Sequence, residues 1–197
     1  MRKFDRLPAP EFLNEKWEDW GKAWEAKKAE KPGAAFNWRQ VDKTPVNQKL
    51  LPLLMEQTQA HCSFCDGYPV SPPGKDTIEH FRPKSKFHRE AWHWPNLYYC
   101  CSFCQDQKLD KYDEGLLRPD ADDFDFDRYF LWDYTTGEIK VNEKATSADQ
   151  QRAAVTIELF GLNQKHPKFR QRETRRRSRE QAEPIDDFAY RNYLEPS

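Results

Sequence analysis

The sequence contains no long apolar run and no strong excess of charge of either sign. No segment approaches the length of a membrane-spanning helix, and acidic and basic residues alternate from the start, unlike a secretory signal or a transit peptide. A formal net charge of −1 also lacks the basic excess that usually accompanies nucleic-acid binding. We therefore expect a cytoplasmic protein that does not act on a membrane, and any contact with nucleic acid must come from a local patch.

The chain is also poor in the apolar residues that build a large core. Hydrophobic residues make up 37% of it and charged residues 33%. With 7 Trp, 13 Phe and 8 Tyr, aromatic side chains are expected to supply much of the buried area. A length of 197 residues with this composition suits a small core between two helical arms, and such a core often needs a metal or a partner for stability.

The N-terminal segment is predicted to be helical. Apolar side chains recur at helical spacing among Glu and Lys within residues 10–30, which indicates an amphipathic helix. Its apolar stripe consists of Phe12, Leu13, Trp17, Trp20 and Trp24. The stripe packs on the rest of the chain or binds a partner, and both uses remain open. A second helix is predicted over residues 46–59, with Pro52 in its first turn.

Three elements are predicted after the centre of the chain. Residues 119–127 form an acidic loop with aromatic anchors, and residues 129–141 form a β-hairpin. A helix then begins after Ser147 or Asp149 and ends at Gly161.

The final predicted helix, from about Pro167, is strongly basic. Residues 168–180 contain seven Lys or Arg and two Glu, a net charge of +5 in a nearly neutral protein. This face is either a solvated surface or a contact for phosphate groups or an acidic partner. Arg175, Arg176 and Arg177 are the residues that we single out for such a contact.

Four of the five cysteines form two Cys-x-x-Cys pairs, which indicate a metal site. Thiols stay reduced in the cytoplasm, where clustered pairs more often bind metal than form disulfides. We predict that Cys62, Cys65, Cys101 and Cys104 bind one Zn²⁺ ion, with redox-active dithiols as the alternative. Because four protein ligands leave no position for a substrate, this zinc would be structural. Cys100 is the unpaired residue and is expected to be a buried bystander.

A longer pattern runs between and after the two pairs. It consists of Thr77-Ile78-Glu79-His80-Phe81-Arg82-Pro83-Lys84, then Trp94-Pro95-Asn96-Leu97, then Gln105-Asp106-Gln107-Lys108 directly after Cys104. Over residues 62–108 this order resembles the zinc-knuckle form of the HNH, or ββα-metal, endonuclease family. The resemblance implies an α+β fold, with a small ββα-metal core around the zinc site and helical segments on both sides. The chain then divides into an N-terminal helical arm (1–58), the HNH core (59–118) and a C-terminal part (119–197).

The resemblance implies a role for each central residue of the pattern. His80 would be the general base that deprotonates a water molecule near neutral pH. Glu79 would bind a catalytic Mg²⁺ or Mn²⁺ ion, which polarises the scissile phosphate. Asn96 would brace the loop that carries His80 and would not react itself.

The sequence departs from the family at the last metal-ligand position, which is Asn or His in most relatives and Gln105 here. Its side chain is one methylene longer, so three outcomes remain open. Gln105 binds the catalytic cation in a shifted position, Asp106 replaces it, or the site is weakened. Glu79 in place of Asp raises a similar but smaller question about the distance between the carboxylate and the cation.

Three basic side chains belong to the same pattern. By their positions, Lys108, Lys84 and Arg82 would hold the phosphate backbone or stabilise negative charge in the transition state. We count Lys108 with the catalytic residues, and Arg82 and Lys84 with the contacts for nucleic acid.

The match continues beyond the core. Its further positions are Tyr129-Phe130, Gly137, Ala153, Thr156-Ile157, Leu159, Gly161-Leu162-Asn163 and the Arg that follows. This extended pattern is similar to the HNH nuclease subunits encoded beside an ABC-type ATPase in Septu and retron-linked bacterial anti-phage defence systems. It implies an ATPase partner and a nuclease subunit that hydrolyses DNA or RNA.

Two alternatives to a nuclease follow from the same residues. If Gln105 prevents productive cation binding, the chain is an HNH-like zinc module that binds nucleic acid or protein. If the cysteine pairs are dithiols, the chain is a redox protein and carries no zinc.

Overall fold

The computed structural model describes residues 1–68 and 77–195. The N-terminal part contains helices α1 (Glu11–Asn14) and α2 (Trp17–Glu30), a short hairpin of β1 (Gln40–Val41) and β2 (Thr44–Pro45), and helix α3 (Val46–Gln57). The centre contains β3 (Thr77–His80), β4 (Leu97–Cys100) and helix α4 (Ser102–Lys108). The C-terminal part contains α5 (Phe126–Tyr129), β5 (Phe130–Asp133), β6 (Glu138–Val141), α6 (Ser147–Leu159), α7 (His166–Arg179) and α8 (Arg191–Leu194).

Helices and small antiparallel sheets are mixed along the chain, which confirms the predicted α+β class. Within the described residues each sheet has two strands, in the pairs β1–β2, β3–β4 and β5–β6. Strand β3 pairs with β4 so that Glu79 lies opposite Tyr98 and His80 lies opposite Leu97. None of the helices in the described ranges has the length and apolar character that crossing a membrane requires.

Strand β4 lies between two hydrophobic cores. Successive side chains of a strand point to opposite faces, and all four residues of β4 are buried. Tyr98 and Cys100 belong to the core that also contains the paired cysteines. Leu97 and Tyr99 belong to the core that the N-terminal helices form. Strand β3 is paired with β4, so its end at His80 is fixed between the two cores.

The aromatic stripe of the N-terminal helices is docked on the chain itself. Leu13 and Trp24 are buried in the second core, while Trp17 and Trp20 are partly exposed against it. Helix α2 lies so close to residues 88–90 that a Cβ atom on Gly21 would be 2.2 Å from the carbonyl oxygen of Arg89. The stripe therefore serves packing, and the partner-binding use stays a prediction for its exposed parts.

Helix α3 differs from its prediction at both ends. It begins directly after Pro45, so Pro52 lies inside the helix and not in its first turn. Proline has no N–H, which leaves the carbonyl of Gln48 without its helical donor. The helix ends at Gln57, because Gln59 and Ala60 adopt positive φ angles of 53° and 58°.

The predicted hairpin is confirmed, and so is the helix after it, except that this helix begins at Ser147 and neither Ser147 nor Asp149 is its N-cap. Strands β5 and β6 pair antiparallel, and the chain turns at Gly137, whose φ is 78°. A Cβ atom there would lie 2.7 Å from the carbonyl oxygen of Pro167, so glycine also lets α7 pack closely on the turn. Helix α6 is capped by Thr146, whose side chain accepts a hydrogen bond from the N–H of Asp149, and it ends before Gly161 at φ 60°.

Candidate functional site

The two cysteine pairs meet in one buried cluster. Cys62 and Cys65 lie on the turns after α3, and Cys101 and Cys104 lie at the start of α4. The four sulfur atoms lie within 4.8 Å of one another, and those of Cys65 and Cys101 are 3.8 Å apart. Four sulfurs bound at about 2.3 Å to one tetrahedral ion would be about 3.8 Å apart. The cluster can therefore hold a metal ion, and its dimensions are consistent with structural zinc.

Hydrogen bonds within the cluster favour the thiolate form, which metal binding requires, at two of the four sulfurs and the thiol form at the other two. The backbone N–H groups of Gly67, Cys101 and Cys104 donate to the sulfurs of Cys65, Cys62 and Cys101 at 3.3, 3.4 and 3.4 Å. Hydrogen bonds from Cys100 and Cys104 lower the pKa of Cys101 to about 6. The pKa of Cys62 is also lowered, whereas hydrogen bonds with the other cysteines and burial raise the pKa of Cys65 and Cys104. A bound cation would displace the protons of these two thiols, and four sulfur ligands suit a soft divalent cation.

Cys100 lies outside the group of four, as its sequence position suggests. Its sulfur donates to the carbonyl oxygen of Cys101 at 3.3 Å. Burial raises the pKa of this thiol well above its ordinary value, so Cys100 stays protonated.

A second site is open and lies next to the cluster along the chain. It is a cleft of about 550 Å³ lined by Glu79, His80, Pro83, Lys84, Gln105, Asp106, Leu109 and Asp110. Successive residues of a helix point about 100° apart, so α4 directs Cys104 into the cluster and Gln105 into the cleft. Four residues of the predicted catalytic and nucleic-acid contact set, Glu79, His80, Lys84 and Gln105, thus share one cleft.

His80 is held at the edge of this cleft by contacts with two other segments. Its Nε2 atom lies 2.9 Å from the carbonyl oxygen of Ala91. A carbonyl only accepts hydrogen bonds, so Nε2 carries the proton. The ring stacks on Trp38 at 5.5 Å between centroids and meets Phe36 edge to face at 5.6 Å. Nδ1 makes no hydrogen bond with any residue in the described part of the chain, so its lone pair remains available.

The environment of His80 keeps the imidazole neutral. Burial lowers its pKa to about 3, and the positive charge of Lys84 acts in the same direction, against the hydrogen bond to Ala91. An ordinary histidine titrates near pH 6.5 and is partly charged in a mildly acidic buffer. His80 therefore keeps an unprotonated ring nitrogen at every pH near neutrality, and the same burial makes that nitrogen a weaker base than in an ordinary histidine.

Glu79 forms a buried ion pair with Lys108. The Nζ atom of Lys108 donates to Oε1 of Glu79 at 2.7 Å and to the carbonyl oxygen of His80 at 2.8 Å. The two residues are 4% and 0% exposed. Burial raises the pKa of Glu79, while Lys108 pulls it down. Lys108 thus lies behind the cleft and supports Glu79, and in this conformation it is not positioned to contact a phosphate group.

Gln105 reaches the cleft but presents its amide nitrogen. Its Nε2 atom donates to the carbonyl oxygen of Ile78 at 3.1 Å, and a hydrogen bond from Gln105 also lowers the pKa of Glu79. The amide oxygen, which a cation would need, therefore faces away from the carboxylate. Asp106, the other candidate ligand, lines the same cleft.

Asn96 connects the two ends of the loop after His80. Its Oδ1 atom accepts from the N–H of Arg82 at 2.7 Å, and its Nδ2 atom donates to the carbonyls of Arg82 and Glu90 at 3.0 Å each. The side chain is 3% exposed and forms none of the cleft wall beside His80. Its geometry is that of a brace.

Arg82 and Lys84 point to different places. Lys84 lines the cleft of His80, with its ammonium 5.3 Å from the ring centre of Phe36. Arg82 instead pairs with Glu90 at 2.9 Å and donates to the hydroxyl of Tyr112 at 3.0 Å. Of the two, Lys84 is the one that a phosphate in the cleft would meet.

The three arginines singled out on α7 also differ. Arg176 pairs with Glu173 and Glu180 at 2.8 and 2.7 Å. Arg177 pairs with Glu195 at 2.6 Å. Arg175 is exposed and forms no ion pair with any residue in 1–68 or 77–195. The same holds for four other cations spaced along one face of the helix, Lys165, Lys168, Arg172 and Arg179. These five form the basic stripe of α7, and only Arg175 belongs to the original prediction.

No local pattern in the sequence predicts the groups that hold His80. Phe36 and Trp38 lie in a polar stretch between two predicted helices, and Ala91 contributes only its backbone. Phe36 and Trp38 are more than forty positions before His80, and no local sequence pattern connects them with it.

Comparison of the sequence with models of protein families and with curated proteins gives no match. Among the described residues, the four paired cysteines form the one group of three or more His, Cys, Asp or Glu side chains whose ligand atoms lie close enough to hold a metal ion. The metal cluster is thus a finding of the geometry, and the chemistry of the cleft has to be argued from its own residues.

Proposed function

We propose that the chain is a metal-dependent endonuclease of the HNH type that hydrolyses phosphodiester bonds of DNA or RNA. The observation that carries the proposal is the neutral imidazole of His80, which is held through Nε2 and borders an open cleft beside Glu79. The order of β3, β4 and α4, with a cysteine pair at the beginning and end, supports the ββα-metal assignment suggested by the sequence.

His80 and Lys84 in the cleft, and Asn96 behind the loop, each have a role in the proposed hydrolysis. The free Nδ1 atom of His80 accepts the proton of a water molecule that attacks phosphorus. Lys84 offers positive charge to a phosphate oxygen in the same cleft. Asn96 holds the loop between Arg82 and Glu90, so the position of His80 does not depend on a mobile turn.

Glu79 and Gln105 would hold the catalytic cation. Carboxylate and amide oxygens are the ligands that Mg²⁺ and Mn²⁺ prefer, and such sites keep several water ligands. Lys108 contacts Oε1 of Glu79, which leaves Oε2 for a cation. The amide of Gln105 has to rotate and give up its hydrogen bond to Ile78 before its oxygen faces the same point. A bound cation would stabilise negative charge on the scissile phosphate.

The cellular part of the proposal rests on the resemblance. We infer a cytoplasmic effector of a two-component anti-phage system, with zinc in the cysteine cluster and an ABC-type ATPase as partner. The partly exposed Trp17 and Trp20 and the basic stripe of α7 are surfaces that a partner or a nucleic acid can use.

A nuclease assay tests the proposal most simply. Purified protein, alone and with its ATPase partner, is incubated with duplex DNA, single-stranded DNA or RNA, with Mg²⁺, with Mn²⁺ or with neither. We expect cleavage that needs a divalent cation and falls by about 10²–10⁴-fold in His80→Ala, the range of general base catalysis. His88→Ala is the matched control, since His88 lies in the same loop, contacts Ser85 and does not line the cleft. Full activity in His80→Ala would remove the assigned base.

One observation favours the alternative of a zinc-stabilised binding module. The carboxylate of Glu79 already has a buried cationic partner in Lys108, and the amide of Gln105 presents nitrogen. If a cation cannot displace these contacts, no metal binds in the cleft. In that case the protein binds nucleic acid or its partner but cleaves nothing with either cation.

A further inference from the structure

Arg170 is a fully buried cation without an acidic partner. The side chain is 0% exposed and forms no ion pair with a carboxylate in residues 1–68 and 77–195. Its guanidinium donates to the carbonyls of Gly137 and Leu162 at 2.8 and 3.1 Å, and its Nε atom has no partner in the same part of the chain. The guanidinium carbon also lies 4.9 and 5.5 Å from the ring centres of Trp132 and Tyr190. Carbonyl dipoles and ring faces reduce the cost of burying this cation, but neither supplies a counter-charge.

Negative charge on Tyr190 or on the cysteine cluster would act on Arg170, and burial raises the pKa of Tyr190, so its hydroxyl stays neutral. Arg170 interacts electrostatically with Cys65 and Cys104, and burial lowers its pKa only to about 10, so it is still charged at neutral pH. His166 lies four residues earlier on the same face of α7, and its Nε2 atom is 3.7 Å from the sulfur of Cys104. This face of α7 therefore points at the cluster.

The charge of the occupied cluster explains the buried cation. Four thiolates and one Zn²⁺ ion carry a net charge of −2, while four neutral thiols carry none. The amino group of Met1 also interacts with Cys62 and Cys65, but burial lowers its pKa, which makes Arg170 the stronger positive charge. The metal–thiolate form therefore gives Arg170 a counter-charge of two negative units.

We propose that Arg170 is the counter-ion of a metal–tetrathiolate cluster and that its charge, delivered by α7, increases the retention of the metal. The inference concerns the cysteine cluster alone and does not depend on nuclease activity. Arg170 acts as a positioning residue, since it touches no substrate and no proposed catalytic group.

Zinc release tests the proposal. Zinc-loaded protein is mixed with excess chelator, and the release rate is followed with a zinc-sensitive dye. Arg170→Met keeps most of the buried volume but removes the charge, and we expect zinc affinity to fall by about 10–100-fold with faster release, the range for residues that support metal ligands. Arg170→Lys restores the charge and should recover most of the loss. Arg176→Met is the control, because Arg176 lies on the same helix and pairs with Glu173 and Glu180.

A Co²⁺-loaded protein gives a second readout that packing alone would not change. The sulfur-to-metal charge-transfer band should shift in Arg170→Met and return in Arg170→Lys, while Arg176→Met keeps the band of the unchanged protein. Equal zinc retention in Arg170→Met and the unchanged protein would overturn the proposal, as would an Arg170→Lys variant as defective as Arg170→Met. If Arg170→Met fails to fold while Arg170→Lys folds and keeps zinc, the charge role is supported; failure of both variants contradicts it.

Discussion

The cysteine cluster and the cleft of His80 are built on the same short helix, but they differ in closure. In the cluster four like ligands face one another, all are buried, and no position is left for a substrate. In the cleft a carboxylate, an imidazole, a lysine and an amide line an open space, and under the proposed function they would act together through a bound cation. Because Cys104 and Gln105 are successive residues of α4, the candidate metal site and the proposed catalytic cleft meet at neighbouring residues of one helix. Substitutions on the two sides should therefore have different consequences.

The largest effect on stability is expected from a substitution in the cysteine cluster. Cys104→Ser removes one of four ligands, and structural zinc contributes on the order of 10 kcal/mol in small zinc-dependent domains. We expect loss of zinc and of the cooperative thermal transition. Cys100→Ser is the matched control, since Cys100 is buried beside the cluster but is not one of the four. Similar melting curves and similar zinc content for the two variants would contradict a structural metal.

The ion pair behind the cleft should give the next largest effect on stability. Lys108→Met leaves the buried carboxylate of Glu79 without its partner, which should lower the free energy of unfolding by about 3–5 kcal/mol. The double variant Glu79→Gln with Lys108→Met removes both charges and should recover much of that loss. Urea unfolding of the unchanged protein and of these two variants measures the differences in unfolding free energy. A double variant no more stable than Lys108→Met would mean that charge is not the reason for the pairing.

Acid stability tests the neutral state of His80. The folded-state pKa is about 3, below the unfolded value of about 6.5, so the unfolded chain takes up a proton that the folded protein rejects. The contribution to stability is complete above pH 6.5 and is lost as the pH falls towards 3, at about 1.4 kcal/mol per pH unit. The difference in unfolding free energy between the unchanged protein and His80→Ala should change with this slope between pH 6 and 4.5. A pH-independent difference would show that the folded protein protonates His80 normally.

The smallest effect is expected from substitutions in the basic stripe of α7, which belongs neither to the cysteine cluster nor to the cleft of His80. Arg172→Gln with Arg175→Gln removes two charges that have no ion pair in the described residues, whereas Arg176→Gln with Arg177→Gln removes two that do. If the stripe contacts phosphates, the first double variant should reduce the slope of log affinity against log salt by about 1.8 on duplex DNA. The second should lower the melting temperature and leave the slope unchanged. Equal slopes for all three proteins would make the stripe a solvated surface.

Local patterns in the sequence predicted the parts of the molecule that depend on local rules. The spacing of Cys62, Cys65, Cys101 and Cys104 was enough to predict the cluster, since a tight turn presents two sulfurs on one side. Two apolar runs separated by Thr136 and Gly137 predicted the β5–β6 hairpin.

The remaining features depend on contacts between distant segments. The hydrogen bond from His80 to Ala91 and its stacking on Trp38 require the packing of an N-terminal segment over the centre. The pairing of Lys108 with Glu79 requires α4 to lie across the end of β3. Residue type and spacing contain no signal for either contact, and the sequence therefore assigned Lys108 to the phosphate and not to the carboxylate.

The central claim is that a structural zinc and a catalytic cation occupy two separate sites. Anomalous diffraction from crystals of the zinc-loaded protein soaked in Mn²⁺ tests this claim most directly. Data at the zinc and manganese edges distinguish the two ions. The account predicts a zinc peak at the centre of the four cysteine sulfurs and a manganese peak in the cleft, bound by Oε2 of Glu79 beside His80. A cysteine cluster without zinc, or a cleft that stays free of manganese while Glu79 keeps its contacts with Lys108 and Gln105, would contradict it.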